Sequence, residues 1–294
     1  MKAGVVSKIR GLEVAKAAED VVTGETALPI DPFKIAQSRD IMVKAMESTG
    51  PGISGFLMKS GDAFGIGYSN RIKNPGYINF TVSHELGHYF TPGHVEKLFT
   101  AGSGTHASRS GFITADPCER EADLFAAVLL MPAGLFRKAL RGAGEGFPAI
   151  ERLSNQCVTS ITATAIRFAE FSENAVAIIL SNNGAVDFCS LSPALQDLQG
   201  ITWMRRGDAI LGTSTTSRFQ RDPQNIINGV RAEGCSMLDE WLDGAPRIEM
   251  KEDVVGLGHY GKTLTVLFTD KEVESEDLDA EQDSFDRWQR WEKR

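Results

Sequence analysis

The chain has 294 residues, 42% of them hydrophobic, and a net charge of −8. That is enough apolar material for one large or two modest cores, and the acidic balance argues against strong nucleic-acid binding, because phosphate contacts supply most of that affinity. The four cysteines, Cys118, Cys157, Cys189 and Cys235, lie far apart with no Cys-x-x-Cys pair, so neither a disulfide framework nor a cysteine zinc site is indicated.

Residues 1–10 lack the apolar core of a secretion signal, and no run approaches the roughly 18 apolar residues of a membrane span. A cytoplasmic protein without membrane partners is expected. Helices are predicted over residues 12–22 and near 31–36, then short strands near 40–44, 55–58 and 63–68. The last strand precedes a further helix, and it is expected to lie at an edge of its sheet, free to pair with another extended segment.

Residues 81–90 contain His84-Glu85-Leu86-Gly87-His88 within helical apolar spacing. Two histidines four apart stand one above the other on a helix, so their ring nitrogens can converge on one zinc ion. Glu85 lies about 100° around the helix, where it can reach a metal-bound water instead of the metal. Chance gives such a pentapeptide in about one chain of this length in a hundred or fewer. The competing reading is a pair of packing histidines on a buried helix.

Four of the five histidines, His84, His88, His94 and His106, fall within 23 residues. The connection 91–115 is rich in Gly, Ser, Thr and His and reads as a long loop, a lid or a disordered stretch, with His106 a solvated loop residue outside the ligand set. An acid-bearing helix follows at 116–132. Glu119 is preferred over Glu121 as third ligand, because Glu119 and Asp123 are four apart on one face; one can bind metal while the other orients a ligand histidine. Glu121 has Phe125 at that offset.

Asp116, Pro117 and Glu119 also fit N-cap, N1 and N3 of a capping box, which would leave Glu119 only a backbone N–H to satisfy. Residues 122–131 are apolar except Asp123, so the helix should be buried nearly all round and Asp123 needs a partner. For an oxyanion donor the candidates are Tyr89, His94, His106 and Arg71, unranked.

A further helix is predicted to about residue 141, and Gly142-Ala143-Gly144-Glu145-Gly146 reads as a hinge. Residues 147–171 look like a helix-turn-helix, but Arg152 and Arg167 are balanced by Glu151 and Glu170, which favours a packing module or a protein-docking surface over a DNA reader. From 174 to 270 the pattern is β, with runs at 175–180, 185–189 and 264–268, a helix near 235–242, and a hairpin turn at 256–262. Residues 270–294 hold 10 acidic and 5 basic side chains and read as a solvated tail whose Phe285, Trp288 and Trp291 could fold onto a partner.

Residues 77–90 and 119–132 together resemble the ImmA/IrrE family of bacterial metallopeptidases. The family pattern, "NFT-x-x-HELGH" followed by "E-x-E-A-(N/D)-x-FA-x-x-LLMP", is matched at both parts and at the right separation, and Leu28-Pro29-Ile30-Asp31-Pro32 is similar to its usual N-terminal segment. The similarity covers residues 28–141 well.

It implies a zincin-like metallopeptidase domain with the HExxH helix over 1–141; with the residue patterns read above, the fold expected is α+β, with a helix-turn-helix-like helical segment over 142–172, a C-terminal α+β domain over 173–270, sensor-like by loose analogy with some relatives, and the acidic tail 271–294. It also implies a metal-dependent endopeptidase that cleaves a helix-turn-helix transcriptional repressor. His84, His88 and Glu119 would be the metal ligands and Glu85 the general base, while Asp123, by the spacing argument above, would stand behind a ligand histidine. The cation would be Zn2+, with Mn2+ or another divalent metal also suited to two His and one carboxylate. The alternative is a non-cleaving regulator that sequesters its repressor through the same fold.

Overall fold

A computed structural model describes residues 3–47, 52–71, 73–109 and 116–271. Apart from Lys271, the acidic tail with Phe285, Trp288 and Trp291 lies outside the described residues. The chain divides into two compact units, Met1–Ala139 with Ser154–Ser160, and Leu140–Leu153 with Ile161–Arg294. Among the described residues no helix is long and apolar enough to cross a membrane.

The first unit opens with α1 (Ala3–Val21), which starts well before residue 12, and α2 (Pro32–Gln37), capped by the Asp31 carboxylate accepting from Phe33 and Lys34 N–H. Strands β1 (Met42–Met46), β2 (Ile53–Ser60) and β3 (Ala63–Ser69) follow, then helices α3 (Pro75–Phe90) and α4 (His94–Leu98), and the chain returns to the sheet as β4 (Gly104–Arg109). Helices α5 (Pro117–Leu130) and α6 (Ala133–Leu140) come next. The sheet order is β1-β3-β2-β4, with β1 parallel to β3 and the other neighbours antiparallel. Leu57 and Ile66 from the sheet, Val82 and Leu86 from α3, and Phe125 and Leu129 from α5 are fully buried in one core.

Two expectations are corrected here. Strand β3 is bonded on both sides from Gly65 onward, to β1 and to β2, so residues 65–68 offer no free edge; β3 returns beside β1 in parallel, which no local pattern announces. The stretch 91–115 is not one loop, since α4 and β4 lie within it. Strand β4 escapes a periodicity search because its inward residues, His106 and Ser108, face a polar site and not an apolar core.

Helix α7 (Gly146–Cys157) and helix α8 (Ile161–Phe171) are joined by Val158, Thr159 and Ser160, with Val158 in the left-handed region at φ 53°. The rest of the second unit is a five-stranded antiparallel sheet of order β6-β5-β9-β8-β7. It comprises β5 (Ala175–Asn182), β6 (Ala185–Leu191), β7 (Arg231–Met237), β8 (Glu249–Gly256) and β9 (Thr263–Thr269), interspersed with helices α9 (Pro193–Gln196), α10 (Thr215–Gln220), α11 (Pro223–Ile227) and α12 (Leu238–Trp241).

The helix expected over 235–242 is therefore strand up to Met237 and helix only for one turn beyond it. Strand β8 was not anticipated, because Glu249, Lys251, Glu252 and Asp253 mask its period. Its inward side is Met250, Glu252 and Val254. Glu252 is buried because its carboxylate accepts from Thr215 N (3.1 Å), Thr216 N (2.7 Å) and Thr216 Oγ1 (2.7 Å), anchoring the first turn of α10.

Candidate metal centre

Helix α3 starts where Asn74 caps it, its side chain accepting from Tyr77 N at 3.1 Å, with Pro75 at the first helical position. It ends at Thr91, followed by Pro92 and by Gly93 at φ 85°. Residues 81–88 are buried without a break, so this helix runs through the interior and both histidines point into protein. Helix α5 crosses it at backbone distance: a Cβ on Gly87 would stand 3.0 Å from Ala122 Cα and 3.2 Å from Phe125 Cβ. Glycine at 87 is what lets the two helices bring their polar side chains together.

At that crossing three donor atoms converge. His84 Nε2 lies 3.1 Å from His88 Nε2 and 3.3 Å from Glu119 Oε2, and His88 Nε2 lies 3.4 Å from Glu119 Oε1. Donors bound tetrahedrally at about 2.1 Å to one ion stand about 3.4 Å from each other, so this triangle has the size that a zinc-like cation requires. Among the described residues His84, His88 and Glu119 form the group able to hold a metal ion, with donors all within 4.8 Å. Asp116 caps α5 by accepting from Cys118 N at 2.9 Å, while the Glu119 carboxylate is turned onto the histidines.

Electrostatics favour a cation at the same place. Burial works against a charged His84, but hydrogen bonds to Asp123 (2.8 Å from Nδ1) and Glu119, and the charge of Glu85, outweigh it and push the imidazole up to about 10. Burial opposes ionisation of Glu119 too, yet bonds from His106, His84 and His88 hold its carboxyl far below the usual range. His88 goes the other way: burial brings it down to about 4 against the pull of Glu119. A proton resting among so many acceptors occupies a position where a divalent ion would displace it.

Glu85 is fully buried, and burial pushes its carboxyl up to about 7 against the charge of His84. Both of its carboxylate oxygens lack hydrogen-bond partners among the described residues. The Ser108 hydroxyl of β4 faces it closely enough to pull its pKa down without reaching bonding geometry. Space for the carboxylate comes from Gly55 on β2, where a Cβ would fall 2.8 Å from Glu85 Oε1 and 2.7 Å from Thr81 Cγ2. An orphaned buried carboxylate beside a cation-sized triangle fits a base awaiting water or substrate.

The four oxyanion candidates separate. His106 is at the centre, its Nε2 2.9 Å from Glu119 Oε1 and its ring 4.6 Å from that of His88, so it is not a solvated loop histidine. His94 is buried behind His88 and bonded to Glu121 at 2.9 Å, which also takes Glu121 away from the metal position. Tyr89 packs edge-on against Phe64 and Phe90, and Arg71 is exposed in the bend after β3. Gly55, Ser108 and the inward role of His106 escape sequence reasoning because tertiary pairing, and no fixed spacing, brings them to the helix.

The sequence matches the family described as the IrrE N-terminal-like domain, Peptidase_M78, over residues 36–145. No curated protein matches the chain. Among solved structures it is similar to a Mycobacterium tuberculosis transcriptional regulator, with 11% identity and a TM-score of 0.58 over 87% of this chain and 76% of that one, a likeness of fold. The stretch that builds the triangle of His84, His88 and Glu119 thus lies wholly within the family match, and residues 36–145 carry an IrrE N-terminal-like domain, Peptidase_M78.

Proposed function

We propose that the protein is a metal-dependent endopeptidase that cleaves a helix-turn-helix transcriptional repressor and so relieves repression. The observation that carries this reading is the triangle of His84, His88 and Glu119 with an unpartnered, buried Glu85 beside it. A divalent cation held there, Zn2+ or another that suits two His and one carboxylate, would supply Lewis acidity, polarising a carbonyl and lowering the pKa of bound water.

The chain's own groups do the rest. Glu85, already pushed up to about 7, takes a proton from water as its oxygen attacks the scissile carbonyl carbon, and gives that proton to the amine nitrogen as the C–N bond breaks. Asp123 holds His84 in one orientation through Nδ1. His106 is the side chain best situated to donate to the oxygen on which negative charge develops. An extended substrate would pair with β4, the outer strand next to the centre.

That the substrate is a repressor rests on the family, and it is consistent with the solved neighbour being described as a transcriptional regulator. Direct DNA reading by α7 and α8 is disfavoured: Arg167 is buried and bonded to Glu170 at 2.7 Å, and Arg152 donates to Ala143 O. The second reading, sequestration without cleavage, needs the same surface but no base.

Incubating the purified chain and its zinc-loaded form with the helix-turn-helix repressor encoded nearest to it, with and without chelator, separates the two by mass spectrometry. Chelator-sensitive fragments are expected, with Glu85→Gln retaining zinc and producing none. Tight binding of intact repressor by wild type would establish sequestration, and fragments from Glu85→Gln would refute the mechanism.

A further inference from the structure

Each imidazole of the centre has a second ring nitrogen, and the two lead to different places. His84 Nδ1 ends at once on Asp123 Oδ1, 2.8 Å away. His88 Nδ1 meets His94 Nδ1 at 3.2 Å, His94 Nε2 meets Glu121 Oε2 at 2.9 Å, and the same oxygen accepts from Arg10 Nε at 2.9 Å. Arg10 is fixed in turn by donating from Nη2 to Pro92 O at 2.7 Å. His94 is only 1% exposed, so its own contacts to His88 and Glu121 are shielded from water, while Arg10 lies nearer the surface.

The chain arranges this deliberately. Thr91 leaves the helix in extended conformation, and Gly93 at φ 85° turns α4 back so that His94 comes beneath His88. Glu119 and Glu121 sit two residues apart on α5, about 200° around it, so one can face the centre while the other serves His94.

An imidazole that gives Nε2 to a cation keeps its proton on Nδ1 and must donate from there. His94 Nδ1 then has to accept, so the proton of His94 is on Nε2, aimed at the Glu121 carboxylate. One assignment of protons satisfies every link. Resting on the metal-centre reading above, we propose that His94, held by Glu121 and Arg10, is a positioning residue that sets the tautomer and ring orientation of His88, and that α1 is thereby wired to the metal centre through Arg10.

The test measures zinc binding by the full-length protein in competition with a chromophoric chelator, together with side-chain 1H–15N spectra of the histidines in the zinc-loaded protein. His94→Phe preserves bulk and removes both links, and affinity should fall about 10- to 100-fold. His94→Asn, whose amide oxygen can stand in for Nδ1, should recover most of that loss. The spectra should report Nδ1–H at His88 and Nε2–H at His94. Wild-type affinity in His94→Phe, or an Nδ1–H tautomer at His94, would overturn the relay while leaving the metal centre intact. If His94→Phe fails to fold, Glu121→Gln answers the same question: a several-fold loss supports the relay and an unchanged affinity sinks it. Absence of any zinc binding by wild type would overturn the centre itself.

Discussion

Glu85 shows how much one buried carboxylate without a partner can cost a fold. The unfolded chain releases its proton near 4.5, while the folded chain holds it to about 7. Raising the pH through that window therefore removes about 3 kcal/mol from the folded state, and above pH 7 the whole penalty is present. Metal-free Glu85→Gln should accordingly melt several degrees above wild type at pH 8, and the gain should vanish by pH 4.5; equal melting temperatures at pH 8 would contradict the burial of this carboxylate. Gly55 makes the complementary point. Gly55→Ala places a methyl 2.8 Å from Glu85 Oε1, so proteolysis should drop at least tenfold while zinc affinity holds within a few-fold, read by parallel activity and competition assays.

At the scale of elements, the crossing of α3 and α5 decides whether the ligands meet. Gly87→Ala would press a methyl 3.0 Å from Ala122 Cα, where backbone must give way. A loss of about 1–3 kcal/mol and weaker zinc binding are expected together, measured by denaturant unfolding and competition. In the second unit, Glu252→Leu would leave the first-turn N–H groups of α10 unpaired in the interior; denaturant unfolding should report a loss of about 3 kcal/mol or more.

The convergence of His84, His88 and Glu119, and the reach of Asp123 to His84, were legible because helical offsets of four residues carry side-chain direction within a single element. The free edge assigned to residues 63–68, the loop over 91–115 and the helix over 235–242 were misread for one reason. Strands β1, β4, β7 and β8 are edge strands, or face polar groups, and their partners come from far along the chain. Charged and small residues there obey contacts that no window of sequence contains.

Across the whole molecule, two units with separate cores predict two calorimetric transitions, and both donor helices lie in one of them. Zinc should raise the transition of that unit alone, by the linkage expected when an ion binds the folded state and not the unfolded one. Movement of both transitions by the same amount would show that they melt as one.

The first unit is also discontinuous in sequence: Ser154–Ser160 belongs to it, although the residues just before and after do not. That short segment places Thr159 against Gly76, where a Cβ would stand 3.0 Å from its backbone, and supplies Val158 O to Asn79. The peptidase-like part is therefore not a module that can be lifted out by cutting once. A chain ended at Ala139 would bare the opening turn of the histidine helix, and gene fusions or transplants that respect the linear order of domains would carry away the donor helices without their doorstop.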